Sequence, residues 1–424
     1  MTAVGSNWAG NYDYEAAGLL RPRSVEEVAA IVSGATRVRA LGTRHSFNDL
    51  ADTTGELLSL VDLEPHPVID PVASTVSVAS GTRFAVLAEH LEAHGYALHN
   101  LGSLPHISIA GAVATGTHGS GVGNGNLSTA VAGLELVNGR GDVVHVSRAD
   151  PRFEGMVVAL GALGIVTRLT LDIQPSFRMR QDVYLDLPWD AVLGSFDEIV
   201  SAAYSVSLFT DWTGSSLKQV WLKSRLPAAG SGLSAVSVPE DFFGAHPAGD
   251  KVMSPAGDDI DNTTVQGGVP GPWSERLPHF RADVTPSNGD EIQTEYFVSR
   301  SDAVAALTAV RALADRIAPH LLVTELRTVA ADSLWLSPAY QRESLAIHFT
   351  WRNEPEPVRA LLPAVEAALA PFDPRPHWGK WFAMGAAEIG PKYERAADFR
   401  ALVAEFDPQG RFRNAYLERV LALV

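Results

Sequence analysis

A glycine-rich stretch, residues 100–126, constrains the fold of this chain more than any other part of its sequence. It reads NLGSLPHISIAGAVATGTHGSGVGNGN, with serine and threonine between the glycines. Residues without a Cβ atom permit tight turns and a close approach of the backbone to a bulky ligand. Backbone N–H groups beside small hydroxyls can form a concave anion site. A flexible linker is the alternative, but the alternation of apolar and small residues around Leu104, Ile107 and Val113 favours buried turns.

Composition narrows the class of protein. The length of 424 residues predicts two domains, and a content of 46% hydrophobic and 19% charged residues predicts substantial cores. The net charge of −16 argues against nucleic acid or an anionic membrane as partner. The absence of cysteine excludes disulfides and Cys–zinc chemistry. Without a signal-like N-terminus or a long apolar run, we expect a soluble cytoplasmic protein, by default a monomer.

The first part of the chain reads as strands and helices without a dinucleotide fingerprint. Residues 37–41 alternate as a strand and residues 83–94 favour a helix, yet no GxGxxG follows the first strand, which disfavours a Rossmann fold. After the glycine-rich stretch, the sequence NGRG at 138–141 predicts a hairpin. Residues 153–163 then predict a helix, and residues 164–171 a strand.

Beyond Pro175, which marks a domain boundary, the pattern changes. Residues 226–274 are rich in Pro, Gly, Ser and Asp and predict a long surface excursion. An amphipathic helix is expected over 301–317 and a further helix over 357–370.

Two late segments, 321–329 and 344–351, predict strands that carry polar side chains in alternation. Glu325 and Arg327 share one face of the first strand, and His348 and Thr350 share one face of the second. If the strands pair, one face presents a carboxylate, a guanidinium, an imidazole and a hydroxyl, which could bind a polyhydroxylated substrate. The alternative is a solvent-facing sheet with a Glu–Arg pair of little energetic value.

Three further positions could carry chemistry on their own. Lys380 stands between tryptophans in HWGKW and is not expected to be a fully solvated charge. His45 follows a strand in a tight turn, where it is either a solvated residue or a nucleophile towards a substrate or cofactor. His90 and His94 have helical i, i+4 spacing, but no Glu follows His90 as HExxH requires, so we expect surface residues and no metal site.

The turn at 42–48, the glycine-rich stretch, residues 377–380 and the tail at 406–416 together resemble the alditol oxidases (xylitol and sorbitol oxidases). These belong to the aldonolactone-oxidase branch of the vanillyl-alcohol-oxidase flavoprotein superfamily. SLPHISIAGAVATGTHGSGVGNG is the most specific piece. The runs AAYSVSLFTDW (202–212) and VPGPWSERLPHFR (269–281) look closer to alditol oxidases than to sugar-lactone oxidases. The likeness covers nearly the whole chain and is weakest over about 180–270.

The resemblance implies an α+β fold with FAD as cofactor. A two-subdomain FAD-binding domain of the vanillyl-alcohol-oxidase type would span 1–175, and an α+β cap domain, whose antiparallel sheet covers the flavin, would span 176–379. The segment 380–424 would return to the FAD domain. His45 would be bonded covalently to the flavin 8α-methyl group, in a turn where Arg44 replaces a glycine of the family's Gly-Ser-Gly-His-Ser sequence. The implied cofactor-binding residues are Leu41, Gly42, Thr43, Arg44, His45, Ser46, Phe47, Ser103, Ser108, Gly111, Ala114, Thr115, Gly116, Thr117, His118 and Val166.

The same resemblance implies a substrate site made of Ser103, Glu325, Arg327, Thr350 and Lys380, with His348, Lys380 and Arg327 as catalytic residues. Arg327 and Lys380 would stabilise a developing alkoxide and the reduced-flavin anion. His348 would accept the hydroxyl proton, since its unperturbed pKa is near neutrality. The other three would hold the polyol hydroxyls.

The implied reaction is oxidation of the terminal primary hydroxyl of an alditol, such as xylitol or sorbitol, to the aldehyde. A hydride passes to flavin N5 and O2 is reduced to H2O2. An aldonolactone oxidase or dehydrogenase of the gulono- or arabinono-lactone type with the same cofactor is the alternative. A catalytically silent flavin-binding protein is a remote one, and a non-flavin carbohydrate-binding protein leaves the glycine-rich stretch unexplained. His106 and His118 are expected to position backbone around the cofactor.

Overall fold

The computed structural model describes residues 4–64, 66–227, 239–256, 260–284 and 290–423. The strands in this part of the chain are β1 (Gly18–Leu20), β2 (Val38–Ala40), β3 (Glu56–Leu58), β4 (Val68–Asp70), β5 (Thr75–Ala79), β6 (Tyr96–Ala97), β7 (Val131–Val137), β8 (Val143–Ser147), β9 (Ile165–Asp172), β10 (Gln174–Pro175), β11 (Arg178–Pro188), β12 (Ser205–Thr210), β13 (Ser216–Arg225), β14 (His246–Pro247), β15 (Gly271–Pro272), β16 (Glu291–Ser299), β17 (Leu321–Val329), β18 (Ser344–Arg352) and β19 (Arg375–Pro376).

The helices are α1 (Val25–Gly34), α2 (Phe84–Ala93), α3 (Ile109–Ala114), α4 (Phe153–Val157), α5 (Trp189–Gly194), α6 (Phe196–Val200), α7 (Ala303–Arg311), α8 (Ala314–Ile317), α9 (Pro355–Leu369), α10 (Ala386–Ile389), α11 (Ala396–Phe406) and α12 (Ala415–Leu421). Helices and largely antiparallel sheets coexist, so the predicted α+β class is confirmed.

Two sheets form the N-terminal half. A small parallel sheet has the order β1-β3-β2, and an antiparallel sheet has the order β4-β5-β9-β7-β8. The predicted hairpin is present between β7 and β8, where the carbonyl of Asn138 accepts a hydrogen bond from Gly141 N at 2.9 Å. Apolar side chains of β5, β7 and β9 pack against helix α2 in the main core.

The glycine-rich stretch is closely packed backbone rather than a linker. Helix α3 lies inside it, and His118, Ser120 and Asn126 are buried. A Cβ atom on Gly119 would lie 2.4 Å from the carbonyl oxygen of Leu101, so only glycine fits there.

A nine-stranded sheet dominates the second half, with the order β14-β11-β13-β12-β17-β18-β16-β19 and β15 also paired with β11. Because strand side chains alternate, this sheet has an apolar face and a polar face. On the apolar face, Leu326, Ile347 and Trp351 join a core that includes the buried sides of α7 and α9. The polar face carries the candidate site.

Three sequence predictions are wrong in detail. Helix α4 ends at Val157 rather than continuing to residue 163, because Leu160 and Gly161 adopt φ values of +54° and +69°, which a right-handed helix cannot contain. The helix predicted over 301–317 is divided into α7 and α8. The described parts of 226–274 are not wholly a surface excursion, since Thr264 and Trp273 are buried.

The C-terminal residues return to the first half of the chain. The buried Arg39 guanidinium donates to the carbonyls of Phe412 and Leu160 at 2.6 and 2.7 Å, and Asn414 binds three carbonyls between residues 49 and 52. The domain limits at residues 175 and 379 stay predictions. No helix in the described part of the chain is long and apolar enough to span a membrane.

Candidate active site

A cavity of about 720 Å³ lies between the glycine-rich stretch and the polar face of the large sheet. This volume falls in the range of about 300–1,000 Å³ that is typical of small-molecule and cofactor sites. Its walls come from residues 39–47, from parts of 102–118, and from strands β9, β16, β17 and β18.

Every cofactor-binding residue that the sequence predicted lines this cavity except Gly116. Gly116 has φ +67°, and a Cβ atom there would lie 3.1 Å from Pro338 Cδ, so it shapes the turn behind the wall. All five predicted substrate residues and His348 line the same cavity. The structure therefore brings together two residue sets that are far apart in sequence.

His45 presents a neutral imidazole to the cavity. Burial, and next the positive charge of Lys380, lowers the pKa of His45 to about 4. Among the described residues, Nδ1 of His45 is buried and has no hydrogen-bond partner. The ring stacks on Trp8, with centroids 5.1 Å apart and an interplanar angle of 21°. A neutral imidazole with one unpaired nitrogen can act as a nucleophile.

The wall around His45 also leaves room for a large planar cofactor. Gly42 and Gly111 face each other across Ser108, and a Cβ atom on either would lie 2.5 or 2.9 Å from Ser108 Oγ. Ser108 N also donates to Thr43 Oγ1 at 3.1 Å. The glycine-rich stretch and the His45 turn are therefore joined without side-chain bulk at the cavity surface.

Arg44, which stands where the resembling family has glycine, adopts the left-handed conformation with φ +66°. The turn keeps the backbone geometry for which glycine is normally selected. Its guanidinium donates to the carbonyls of Val4 and Ser6 at 2.7 and 3.1 Å, and its own carbonyl accepts from Trp8 N at 2.9 Å. Arg44 thus holds the N-terminal segment against the turn, which places Trp8 in contact with His45.

We expect Arg44→Gly to be more stable than Arg44→Ala by about 1–2 kcal/mol, because alanine carries the full steric cost of the left-handed conformation. Both variants lose the same bonds to Val4 and Ser6. The free energy of unfolding in urea measures the difference, and equal values would show that the positive φ is not retained in solution.

The polar face of the sheet forms as the sequence predicted. Strands β17 and β18 pair antiparallel with Glu325 opposite His348, and β16 pairs on the other side with Glu295 opposite His348. Arg327 and Thr350 lie on this face as well. The solvent-facing alternative is wrong, because Glu325, Arg327 and His348 are at most 8% exposed.

Glu295 is the centre of this face, and the sequence reasoning missed it. Its Oε1 lies 3.0 Å from His118 Nε2, 2.9 Å from Arg327 Nη2 and 3.5 Å from His348 Nδ1. Burial raises the pKa of Glu295, but His118, His348 and Arg327 outweigh burial and hold that pKa well below its usual range. The spacing of Gln293 and Glu295, two residues apart in the strand-like segment 291–299, was the signal available.

Arg327 links the sheet to the glycine-rich stretch. Its Nη1 donates to Ser103 Oγ at 3.3 Å, and its Nη2 donates to Glu295. Burial lowers the pKa of Arg327, but Glu325 and Glu295 raise it by more, so the guanidinium stays charged. His118, expected to position backbone, contacts the carbonyl of Gly119 through Nδ1 at 2.8 Å, and its Nε2 also contacts Glu295 Oε1 at 3.0 Å.

Lys380 lies at the junction of the two halves. Its ammonium donates to Gln293 Oε1 and lies 4.7 Å from the ring centroid of Phe47. Asn48 in the His45 turn donates to the carbonyl of Lys380 at 2.8 Å. Burial lowers the pKa of Lys380 to about 8, and Glu295 partly offsets that shift. The expectation that Lys380 is not a fully solvated charge is confirmed.

His348 has the properties of a neutral base. Burial lowers its pKa below the usual range, and Glu295 works against that shift. Within the described residues, His348 Nδ1 makes no hydrogen bond, its nearest carboxylate oxygen being Glu295 Oε1 at 3.5 Å. The Glu295 carboxylate would therefore stabilise the positive charge of an imidazolium formed at His348.

Matches to known families agree with this geometry. A family described as "FAD binding domain" matches residues 16–147, and one described as "D-arabinono-1,4-lactone oxidase" matches residues 287–420. The first range contains His45 and the glycine-rich stretch, and the second contains Glu295, Arg327, His348 and Lys380.

Relatives are similar over their full length. The chain is 46% identical to an alditol oxidase of a Streptomyces species, covering 99% of this chain and 100% of that protein. It is 29% identical to an L-gulono-1,4-lactone dehydrogenase of Mycobacterium tuberculosis, with 99% and 100% covered. A crystal structure of cholesterol oxidase from B. sterolicum superimposes with a TM-score of 0.78 at 16% identity, covering 99% and 97% of the two chains, which shows a shared fold.

Proposed function

The chain belongs to the alditol oxidases, in the aldonolactone-oxidase branch of the vanillyl-alcohol-oxidase flavoproteins, and we propose that it oxidises the terminal hydroxyl of a polyol such as xylitol or sorbitol. It is an FAD-dependent oxidoreductase. The product would be the aldehyde, and O2 would be reduced to H2O2.

One observation carries the proposal. The neutral imidazole of His45 and the charged face formed by Glu325, Arg327 and His348 line a single cavity. His45 belongs to the wall that fits a flavin, and the charged face offers several hydrogen-bond donors and acceptors, as a polyol requires.

FAD, when bound, would supply the hydride acceptor and return the electrons to O2. The residues that would hold it are the cavity-lining members of 41–47, 103–118 and Val166. We propose that His45 also forms the covalent link, because its imidazole is neutral, its Nδ1 has no hydrogen-bond partner among the described residues, and its ring stacks on Trp8.

The substrate hydroxyl must lose a proton while its carbon loses a hydride. His348 is proposed to take that proton at neutral pH, and Glu295 then stabilises the imidazolium. Arg327 and Lys380 place two positive charges on this face, where an alkoxide develops. Ser103, Glu325 and Thr350 would hold the remaining hydroxyls and orient the terminal carbon.

The direct test is anaerobic mixing of the purified yellow enzyme with xylitol, sorbitol or gulonolactone, followed by the flavin absorbance. Rapid bleaching by the polyols supports the proposal. Bleaching by the lactone alone would favour a lactone oxidase or dehydrogenase, the second candidate, which rests on the match at 287–420. No bleaching by any of the three would favour a silent flavin protein.

We expect His45→Ala to abolish covalent flavin attachment. After acid precipitation, the yellow colour should stay with the pellet in the wild-type protein and be lost from the pellet in the variant. His106→Ala is the matched control, because the charge of His106 acts on His45, yet its ring bonds the carbonyl of Ala282 at 3.1 Å and is not among the cavity-lining residues. Colour retained in the His45→Ala pellet would contradict the assignment.

A further inference from the structure

A buried chain of polar side chains runs from Glu325 through His279, which also lines the cavity, to Lys223. His279 Nε2 lies 2.6 Å from Glu325 Oε1, and Lys223 Nζ lies 3.0 Å from His279 Nδ1. Lys223 is only 1% exposed and His279 is 5% exposed. Burying a lysine is costly unless its donors are used, so this arrangement requires an explanation.

The donors of Lys223 are fully used. Its Nζ donates to the carbonyls of Leu277 and Pro278 at 2.6 and 2.9 Å, and its third contact is His279 Nδ1. Burial lowers the pKa of Lys223 well below its usual range, and the Glu325 carboxylate works against that shift.

These contacts determine which nitrogen of His279 carries the proton. Burial, and next the charge of Lys223, lowers the pKa of His279 to about 4, so the ring is neutral at pH 7. Arg327 and His279 outweigh the effect of burial and hold the pKa of Glu325 below its usual range, so Glu325 is a carboxylate. His279 therefore donates Nε2–H to Glu325, and Nδ1 accepts from Lys223.

The bond from His279 leaves the second oxygen of Glu325 available. Glu325 Oε2 lies 3.6 Å from Arg327 Nε, which is too far for a hydrogen bond. Arg327 Nε is itself buried and, among the described residues, has no hydrogen-bond partner. A substrate hydroxyl beside both atoms would accept from Nε–H and donate to Oε2, which neither a methylene nor a carbonyl can do.

We propose that His279, held by Lys223, is a positioning residue that keeps Glu325 Oε2 beside Arg327 Nε, and that this pair binds a hydroxyl of the polyol away from the reacting carbon. The inference rests on the proposed polyol oxidation and adds to it the residues that select a polyhydroxylated chain.

The two stretches that look closest to alditol oxidases meet at His279. Residues 269–281 contain His279, and residues 202–212 contain Phe209, whose ring centroid lies 5.7 Å from that of His279. Trp221 packs edge-on against the same imidazole at 4.9 Å. The N–H groups of His279 and Phe280 each donate to the carbonyl of Ser103 at 3.2 Å, which ties this segment to the substrate side of the cavity.

The test compares His279→Gln with His279→Asn. A glutamine amide can place an N–H donor where Nε2 lies, whereas an asparagine amide reaches only the position of Nδ1. We expect His279→Gln to keep the KM for xylitol within about threefold, and His279→Asn to raise it about 10- to 100-fold, the usual effect of a lost hydrogen bond to a charged group. Steady-state oxygen consumption with xylitol measures both.

A second substrate separates positioning from general damage. An alditol analogue that lacks the hydroxyl bound by Glu325 and Arg327 should bind the wild-type enzyme about 10-fold or more weakly than xylitol does. The His279→Asn variant should discriminate little between xylitol and this analogue. Melting temperature and acid-stable flavin content should be the same in both variants. If His279→Asn does not fold, Lys223→Met, which removes the donor to Nδ1, takes its place.

Equal KM values for the Gln and Asn variants, or unchanged discrimination in the Asn variant, would overturn the proposal. A wild-type enzyme that no polyol reduces would instead overturn the proposed function, so the two failures can be told apart.

Discussion

Replacing His348 by alanine is expected to lower the rate of flavin reduction by xylitol about 10²- to 10⁴-fold, the usual contribution of a general base. The physical reason is that His348 is a buried imidazole, neutral at pH 7, whose Nδ1 side faces the Glu295 carboxylate at 3.5 Å. Stopped-flow measurement of flavin bleaching under anaerobic conditions isolates this step from the reaction with O2.

The pH dependence of the rate of flavin reduction distinguishes the roles of His348 and Lys380. Activity should rise with pH as His348 loses its proton, at a pKa that burial places below the usual histidine range. It should fall again as pH passes through about 8, where Lys380 loses the positive charge that stabilises the alkoxide. His348→Ala should lose the acid limb and keep the alkaline one.

Lys380→Met provides the matched control, since it removes the charge but keeps an unbranched side chain. We expect the alkaline limb to disappear in this variant and the acid limb to remain. If His348→Ala kept nearly the full rate of flavin reduction at all pH values, the assignment of the base would be wrong. Loss of the acid limb in Lys380→Met instead would transfer that role to Lys380.

The strands of the candidate site could be predicted because their chemistry follows the period of the backbone. Glu325 and Arg327 are two residues apart on one strand, as are His348 and Thr350 on the next, and this spacing places each pair on one face of its strand whichever neighbours the strands have. The glycine-rich stretch was predictable for a similar local reason, since contacts such as that of Gly119 with the Leu101 carbonyl exclude a side chain.

Residues whose role depends on distant partners could not be found in this way. Glu295 is separated from His118 by 177 residues, and a carboxylate on a strand is ordinarily solvent-facing. Lys223 and His279 are 56 residues apart, and only the packing of a loop on the sheet brings them together. The helix expected over 153–163 failed because apolar periodicity does not reveal the positive φ of Leu160.

Replacing Glu295 by glutamine should destabilise the protein by about 3–5 kcal/mol, the usual effect of removing one partner from a buried ion pair. Glutamine preserves the size of the side chain and keeps one acceptor oxygen, but it removes the negative charge that faces Arg327 at 2.9 Å and His118 at 3.0 Å. The free energy of unfolding, measured with urea at pH 7, gives the magnitude.

Glu366→Gln is the matched control, because Glu366 is also a buried glutamate, 8% exposed, on helix α9. Its carboxylate accepts from Tyr296 Oη and from the N–H of Ala383 rather than from a guanidinium, and burial raises its pKa. Glutamine retains an acceptor there, so we expect a loss of about 1 kcal/mol.

The two variants should also differ in catalysis. Glu295 raises the pKa of His348, so Glu295→Gln should move the acid limb of the rate profile to lower pH and slow the reaction, because the imidazolium loses its counter-ion. Glu366→Gln should leave that limb in place. Identical stability losses together with identical acid limbs would show that Glu295 is only a structural residue. A shift of the acid limb in Glu295→Gln alone would show that Glu295 orients His348 and stabilises its protonated form.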